Sequence, residues 1–488
     1  MNPTQESPRD VLEQVIGAET KALEESIQPD IKSLEVLNWK LRRNAIQPIS
    51  SIPPEIFTAI FSLLCLPGIP SLGGKPSRNR ARLRVSHVCR QWCEIALNQP
   101  QLWSHIDFNS VSLAAATEIL ARAKLLPLYM ETRVSCQSDD DRFGPFLNQV
   151  QAHLPHIRHL SISADFFRTT YWELVNTLVS PAPTLEYLSL SFPEEDYARI
   201  MDWQLSTPDT QVLDPLFGGS TPKLSCLKLR NCEIRWNPLL FKGLKYLEIL
   251  TLYNTARPTL AVWLDTLAAI PQLKTLTLHS ASPVAVYFPF DVERTVTLPS
   301  LTHLDISAPL QDCALASAHL DLPALTSLCL TATSYPTYSS GVQEFLPYVV
   351  RHVHGPQDIR PLQSVLIRNH WSILDLLAWP TPDVDTFVHD PPAFLGTTLP
   401  TRVKLSFTHY HVYALEIFEI IMATLPLDGL LTLVGVDLKS NLSKDLTIRQ
   451  FNSTVLAPPL AKLASAPARA TGSYCITWIY NGASRRLQ

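Results

Sequence analysis

The chain has 488 residues, enough for one large domain or several, so its length sets no limit on a hydrophobic core. Hydrophobic residues make up 46% of the chain and charged residues only 17%, which is typical of a globular protein with much surface to bury. The net charge of -4 and the pI near 6.4 give no general attraction to polyanions. We therefore predict neither nucleic acid nor a membrane as a partner.

The nine cysteines are scattered along the chain, and no two of them form a CxxC pair. This usage is typical of buried thiols in a reducing compartment rather than of a disulfide framework or a zinc site. The first ten residues, MNPTQESPRD, are polar and of mixed charge, so they predict neither a secretory signal nor a transit peptide. No run of about 18 apolar residues lacks a charge or a proline. We expect a cytoplasmic or nuclear protein.

Residues 1–47 are predicted to form amphipathic helices. Pro29 separates an earlier helix, near Val11 to Ile27, from a second one whose apolar residues recur at spacings of three and four. That stripe consists of Ile27, Ile31, Leu34, Leu37 and Leu41. It is too short to predict an autonomous coiled coil, so packing on the same chain and dimerisation both stay open.

The segment QPISSIPPEIFTAIFSLLCLPG contains signals for a further helix. Pro53 and Pro54 suit a first helical turn, and Glu55 complements the positive end of the helix dipole. The apolar face that follows consists of Ile56, Ile60, Phe61 and Leu64. Residues 68–84 are then predicted to be a basic, solvated loop rather than a phosphate-binding one.

The stretch LRVSHVCRQWCEIAL predicts one more continuous helix. Its apolar face consists of Val85, Val88, Cys89, Trp92, Ile95 and Ala96. Cys89 and Cys93 are four residues apart with His87 nearby, but no second pair is in register, so ordinary packing is favoured over a metal site.

Residues 48–108 together resemble an F-box. The matching pieces are IPPEIFTAIFSLL from Ile52, LRVSHVCRQWCEIA from Leu83 and PQLWSHIDF from Pro100, with Ile52 in place of the usual leucine. The preceding short helix resembles the layout common in F-box proteins of mushroom-forming fungi. The resemblance implies a small helical bundle that docks on a Skp-class adaptor, which in turn joins a cullin scaffold.

The resemblance also implies a set of adaptor-binding residues, since such a face needs exposed apolar side chains. The set consists of Ile52, Pro53, Pro54, Glu55, Ile56, Ile60, Phe61, Val85, Cys89 and Trp92. We assign Pro53, Pro54, Glu55 and Ile56 mainly to contact with the adaptor. Whether the other members face the adaptor or the core stays open, above all for Trp92.

Residues 109–488 contain a loose repeat, most regular over residues 154–333, of three apolar positions in the pattern LxxLxL. Seven copies begin at Ile157, Leu185, Leu224, Leu247, Leu273, Leu301 and Leu325, and two weaker ones begin at Leu362 and near Val403. Alternating positions of a short strand point inward, so stacked strands would bury a continuous column of leucines. Between the strands, YWELVNTLVS, AVWLDTLAAI and VQEFLPYVVRHV are predicted helices.

This region resembles leucine-rich repeat proteins, although the Asn or Cys expected after each strand occurs only as Cys232. We therefore predict an α/β chain: an N-terminal helix and a small helical F-box bundle, followed by an irregular leucine-rich repeat solenoid. Residues 379–400 are predicted to be a proline-rich insertion. Residues 453–488 are predicted to be a cap with late strands and a frayed SRRLQ end.

Known catalytic signatures such as GxGxxG, the Walker loop, HExxH and GxSxG do not occur, so we expect no enzyme and no cofactor. The pairs His352/His354 and His409/His411, and the acidic run at residues 139–141, are better explained as packed or solvated groups than as metal ligands. Target binding is assigned to residues on or after the solvent side of the strands. They are Arg230, Arg235, Trp236, Tyr253, His279 and Arg368.

The resulting hypothesis is a substrate-recognition subunit of a Skp–cullin–F-box type ubiquitin ligase. The F-box would dock the adaptor, and the repeat domain would bind a target protein that one sequence cannot identify. The alternative is a leucine-rich repeat interaction scaffold with no role in ubiquitination. An enzyme in the C-terminal third is the least favoured interpretation.

Overall fold

The computed structural model describes residues 29–64, 78–134, 143–164, 174, 177–192, 216–232, 236, 238–250, 257–285, 292–333, 339–353, 362–370, 373–380, 402–408, 414–425, 432–438, 475–480 and 483–487. The chain divides into two compact units, Met1–Ser161 and Ile162–Gln488. The predicted helix near Val11 to Ile27 and nearly all of the proline-rich insertion lie outside the described residues. The sequence-based domain boundaries at residues 48 and 109 stay predictions.

The first unit is mainly helical. Its helices are α1 (Pro29–Ala45), α2 (Pro54–Leu64), α3 (Arg78–Ser86), α4 (Arg90–Leu97), α5 (Leu113–Ala123) and α6 (Phe143–His153). Short 3₁₀ turns lie at Pro48–Ser51, Pro100–Trp103, Phe108–Ser110 and Leu154–His156. Strands β1 (His105–Asp107) and β2 (Leu128–Val134) pair in parallel, and β3 (Ile157–Ala164) spans the boundary between the units.

The stretch predicted as one helix over residues 83–97 is two helices in the structure. Helix α3 ends at Ser86, and Cys89 adopts an extended conformation, with φ -157° and ψ 171°, before α4 begins. The backbone oxygen of Cys89 accepts a hydrogen bond from the Cys93 amide, at 2.9 Å, and thus opens the new helix. The break leaves Val88 57% exposed, although the uninterrupted pattern predicts it on the same face as Val85.

The second unit combines a mixed β-sheet with helices. Its strands are β4 (Tyr187–Ser191), β5 (Cys226–Arg230), β6 (Tyr246–Leu250), β7 (Thr275–His279), β8 (Val296–Thr297), β9 (His303–Ala308), β10 (Leu320–Asp321), β11 (Ser327–Ala332), β12 (Ser364–His370), β13 (Ile373–Trp379), β14 (Val403–Thr408), β15 (Thr432–Leu438), β16 (Cys475–Tyr480) and β17 (Ala483–Leu487). Its helices are α7 (Pro238–Phe241), α8 (Leu260–Ala268), α9 (Leu310–Ala318), α10 (Ser339–Val353) and α11 (Ala414–Thr424).

Within this unit the strands are ordered β4-β5-β6-β7-β9-β11-β14-β13-β12-β15-β16-β17, and β8 pairs with β10 separately. The strands from β4 to β14 in this order run parallel, with their apolar positions in register. One buried row consists of Leu188, Leu227, Leu247, Leu276, Leu304, Leu328 and Val403, and the next of Leu190, Leu229, Ile249, Leu278, Ile306, Leu330 and Leu405. These rows are the predicted leucine columns.

Two of the predicted repeats differ from the prediction, one in its starting residue and the other in its neighbouring strands. Leu247 pairs with Leu227, so the repeat in this region begins at Leu244, three residues before the predicted start. The repeat at Leu362 contributes β12, which pairs antiparallel with β13 and parallel with β15, whereas β14 at Val403 lies next to β11. The LxxLxL pattern specifies which positions are buried but not which strand becomes the neighbour. From β4 onward, the run of strands of this sheet that follow one another in both chain order and sheet order therefore ends at Ala332.

Two polar residues support the turn after β5. The side-chain amide of Asn231 donates to the Phe192 carbonyl oxygen, at 2.9 Å, and the Cys232 thiol lies 3.6 Å from the Leu190 oxygen. Asn231 has a positive φ of 52°, which Asn tolerates better than most residues. At the other end of the sheet, the SRRLQ segment predicted to be frayed forms most of β17, which pairs antiparallel with β16.

Candidate functional site

The first unit is held together by an aromatic cluster. Phe57 and Phe61, one helical turn apart on α2, are both fully buried, and the Trp92 ring of α4 lies 5.2 Å from each of their rings. The two phenylalanine rings are 5.8 Å apart. Such tilted and edge-on arrangements are favourable for aromatic rings. The cluster fixes which side of α2 faces the core.

A second stripe on α2 faces solvent. Ile56, Ile60 and Leu63 are 51%, 40% and 56% exposed, and they recur at spacings of four and three. Successive helical residues are about 100° apart, so this stripe lies beside the buried pair Phe57 and Phe61 rather than opposite it. Helix α2 is therefore apolar on two adjacent sides, of which the described residues cover only one.

The start of α2 adds further exposed residues. The Pro53 oxygen accepts hydrogen bonds from the amides of Ile56, at 3.0 Å, and Phe57, at 3.3 Å, so Pro53 caps the helix with its backbone. Pro53, Pro54 and Glu55 are all exposed. The two proline rings and the Glu55 carboxylate thus lie beside the apolar stripe, on a rigid first turn of the helix.

The predicted adaptor-binding residues fall into three groups. Pro53, Pro54, Glu55, Ile56 and Ile60 are exposed, and Ile52, Cys89 and Trp92 are half-buried. Phe61 and Val85, for which the sequence leaves open the choice between adaptor and core, are buried. The physical reason is that their helices pack against each other at these positions, so their side chains belong to the bundle core. Apolar residues that the prediction omitted, Ile49, Leu63 and Val88, are exposed instead.

Arg82 connects the helical bundle to the strand that follows it. Predicted to lie in a solvated loop, it is 1% exposed, and its Nη1 donates to the carbonyl oxygens of Leu102, at 3.1 Å, and His105. Its guanidinium lies over the buried ring of Trp103, and the guanidinium of Arg122 lies over the same ring at 4.8 Å. Backbone carbonyls and an aromatic face thus stabilise the buried charge.

The second unit exposes the other side of its strands. Between the buried leucines, one row across the sheet carries Ser189, Lys228, Glu248, Thr277, Asp305, Cys329 and Lys404. Lys228 Nζ lies 3.0 Å from Glu248 Oε2, and this hydrogen bond raises the pKa of the lysine. His279 Nε2 lies 3.5 Å from Asp305 Oδ1. Burial, together with the nearby Asp305 carboxylate, raises the pKa of the Cys329 thiol to about 12, which favours the protonated thiol.

The structure describes the side chains of three of the six predicted target-binding residues. Arg230 is exposed at the end of β5, and His279 is half-buried on the polar face. Trp236 is half-buried and stacks on Phe241 with ring centroids 5.5 Å apart. Arg368 lies in β12, while Arg235 and Tyr253 are outside the described residues. The prediction omitted Lys228, Glu248 and Asp305, each of which directly precedes the second buried apolar residue of its strand.

The buried His352 is part of a structural contact in the second unit. Its Nε2 donates to the Ser317 oxygen at 3.0 Å, and Arg351 donates to the same oxygen. Burial, with a smaller contribution from the Arg351 charge, lowers the pKa of His352 to about 4. His354, His409 and His411 lie outside the described residues. Within the described part of the chain, no group of three or more His, Cys, Asp or Glu could hold a metal ion.

Comparison with known protein families identifies a domain in the helical part of the first unit. The F-box-like family model matches residues 49–109, which run from the 3₁₀ turn before α2 to the 3₁₀ turn after β1. The search of curated proteins found no match to the chain. Among the described helices, none has the length and apolarity needed to span a bilayer. The chain thus contains an F-box-like domain, and helices α2, α3 and α4 lie within the matched residues.

Proposed function

We propose that this chain is the substrate-recognition subunit of a Skp–cullin–F-box type ubiquitin ligase. The observation that carries the proposal is the exposed stripe Ile56, Ile60 and Leu63 on a helix of the F-box-like domain. Each side chain is about half exposed, so complete burial against an adaptor groove would contribute roughly 1 kcal/mol per residue. Three such residues beside the exposed Pro53 and Pro54 supply a rigid apolar surface for a Skp-class adaptor.

The second unit is proposed to be a degenerate leucine-rich repeat domain that binds the target. In-register leucine rows bury one side of the parallel strands, and the other side offers charged and hydroxyl groups. A polar face on a rigid sheet suits specific recognition of another protein, because hydrogen-bonding groups discriminate between partners.

The proposed contribution to ubiquitination is proximity alone. Binding the target on one unit and the adaptor on the other raises the local concentration of target lysines near the charged conjugating enzyme. No reacting group of the chain takes part, so we propose no enzymatic activity and no cofactor. The proposed location is the cytoplasm, the nucleus or both, where the adaptor and cullin operate.

The docking step is tested by recovery of a Skp-class adaptor with the full chain. Pro53→Ala/Ile56→Asp should reduce recovery by more than about tenfold, because it places an unpaired carboxylate in an apolar interface. Leu125→Asp is the matched control, since Leu125 is 79% exposed and lies beyond the F-box-like match. Equal recovery of the adaptor by both variants would contradict the docking assignment.

The receptor role is tested separately from docking. Proteins labelled by a proximity enzyme fused to the chain should include some whose ubiquitination falls when Pro53→Ala/Ile56→Asp replaces the wild type. If the adaptor docks and no labelled protein changes in ubiquitination or abundance, the interaction scaffold is the better assignment.

A further inference from the structure

Four exposed lysines lie at the edge of the second-unit sheet where three successive strands begin. Lys223 precedes β5, Lys242 and Lys245 precede β6, and Lys274 precedes β7. We call this set the lysine edge. The turns that contain it, residues 219–225, 241–245 and 268–274, include no Asp or Glu.

Backbone contacts hold these turns side by side. The amide of Lys274 donates to the Lys245 oxygen, and the amide of Lys245 donates to the Ser225 oxygen, both at 2.8 Å. Gly243, with φ 94°, brings the turn before β6 so close to Leu224 that an added Cβ would lie 3.4 Å from the Leu224 oxygen. Adjacent strands are about 4.8 Å apart, so the lysine edge is a compact row of cations.

Two of the nearby carboxylates pair with cations outside this row, and a third, Glu186, precedes β4 next to Ser225. Glu248 on β6 holds Lys228 at 3.0 Å, and Asp265 on α8 holds Arg294 at 2.7 Å. Among the residues that the structure describes, no ion pair involves a member of the lysine edge. A concentrated positive charge of this kind is unexpected on a chain whose net charge is -4.

Groups around the lysines complete a recognition surface. Tyr246 follows Lys245 and is 46% exposed, and its register partner Thr275 is half-buried. His303, the partner of Thr275 on β9, is exposed. The surface therefore offers ammonium groups, a phenol, a hydroxyl and an imidazole, all on rigid backbone.

We propose that the lysine edge binds an acidic segment of the target protein. The inference rests on the proposed function, because it identifies the chemistry that the receptor recognises. Carboxylate side chains along an extended segment match a row of cations, and Tyr246 supplies an apolar contact between them. Nucleic acid and lipid headgroups fit less well, because the edge has only lysines, one exposed aromatic ring and no arginine fork.

The test measures binding of a short fluorescein-labelled peptide of alternating Glu and Ser to the full chain, both alone and with the adaptor added. Lys245→Glu/Lys274→Glu should weaken binding at least about tenfold, and added salt should weaken binding to the wild type. Lys40→Glu/Lys124→Glu changes the net charge equally at exposed positions of the first unit and should alter the Kd less than about twofold.

Further variants and probes make the outcome decisive. Lys245→Arg/Lys274→Arg should restore binding, and unchanged thermal unfolding of the Glu variant would exclude misfolding as the cause. Equal Kd values for the two Glu double variants would overturn the proposal. So would tighter binding of single-stranded DNA or of phosphatidylserine vesicles, or binding of the peptide only when its serines are phosphorylated.

The outcome can be separated from that of the proposed function. Adaptor recovery reports docking through α2, and peptide binding reports the lysine edge. If the wild-type chain recovers the adaptor fully but does not bind the peptide, the lysine-edge proposal alone is overturned. Peptide binding without adaptor docking supports the edge and overturns the ligase assignment.

Discussion

Helix α2 of the first unit and strands β5 to β7 of the second differ in what they leave exposed. In α2 a helical spacing buries Phe57 and Phe61 and leaves Ile56, Ile60 and Leu63 in solvent. In the strands an alternating spacing buries the leucines and exposes lysine, glutamate and threonine. An apolar surface gains from contact with one constant partner, whereas a polar surface discriminates among many. This difference is the reason that we propose docking for the first unit and target selection for the second.

Removing a leucine from the buried rows should have the largest effect on stability. Leu278 is fully buried between Ile249 and Ile306 in the register of the sheet. Leu278→Ala should lower the free energy of unfolding by about 3–5 kcal/mol, measured by urea denaturation with circular dichroism. Thr277→Ala, on the polar side of the same strand, should cost less than about 1 kcal/mol. Similar losses of unfolding free energy for the two variants would show that the leucine side of the sheet is not its main core.

The first unit should depend on Arg82 in a comparable way. Arg82→Met keeps much of the side-chain volume but removes the donors to Leu102 and His105 and the contact with Trp103. We expect a loss of about 2–4 kcal/mol, seen as faster hydrogen exchange of the β1 and β2 amides. Arg84→Met is the control, because Arg84 is exposed on the same helix. Identical exchange rates in the two variants would show that Arg82 does not stabilise this junction.

His352 should make the stability of the second unit depend on pH. Its pKa is about 4 when folded against 6.5 in the unfolded chain, so the unfolded state binds a proton first as pH falls. The stability that the neutral ring provides is complete above pH 6.5 and is lost between about pH 6.5 and 4. The expected loss is on the order of 2–3 kcal/mol. His352→Gln keeps a donor for the Ser317 oxygen and should remove most of this slope; an unchanged slope would assign it to other groups.

The smallest effect is expected for the ion pair on the polar face. Lys228 and Glu248 are more than a third exposed, so solvent screens their attraction. A double-mutant cycle with Lys228→Ala and Glu248→Ala should give a coupling energy below about 1 kcal/mol, which added salt reduces further. A coupling above about 2 kcal/mol would mean that the polar face stabilises the fold rather than remaining available for a partner.

Helix starts and buried strand positions were predictable from the sequence, because short-range spacing determines them. The helix signals at Pro53 and Pro54 predicted the start of α2, and six of the seven LxxLxL copies predicted the buried positions of their strands. Around Leu244 the sequence GLKYLEILTL fits the pattern in two frames, starting at Leu244 or at Leu247. Register with β5 selects the first frame, and that is a property of the neighbouring strand.

Long-range packing accounts for most of what the sequence could not predict. Arg82 lies in a run of arginines, and only its contact with Trp103, some twenty residues later, distinguishes it from its exposed neighbours. Phe61 and Ile60 are equally apolar, and only Trp92 determines which of them is buried. The sequence did not predict the lysine edge, because its members are far apart in the chain. They become neighbours only when the sheet aligns the three turns that contain them.

The Trp103 ring, which both Arg82 and Arg122 cover, indicates which residues must accompany the F-box-like region when it is transferred to another protein. Its family match stops at residue 109, yet Asp107 pairs with Glu131, and Arg122 covers the Trp103 ring. A chain ending at residue 109 would lose the strand and the cation that complete its own core. The folding unit is therefore longer than the recognisable motif, because Phe108 packs on Phe146 and the compact unit extends to Ser161.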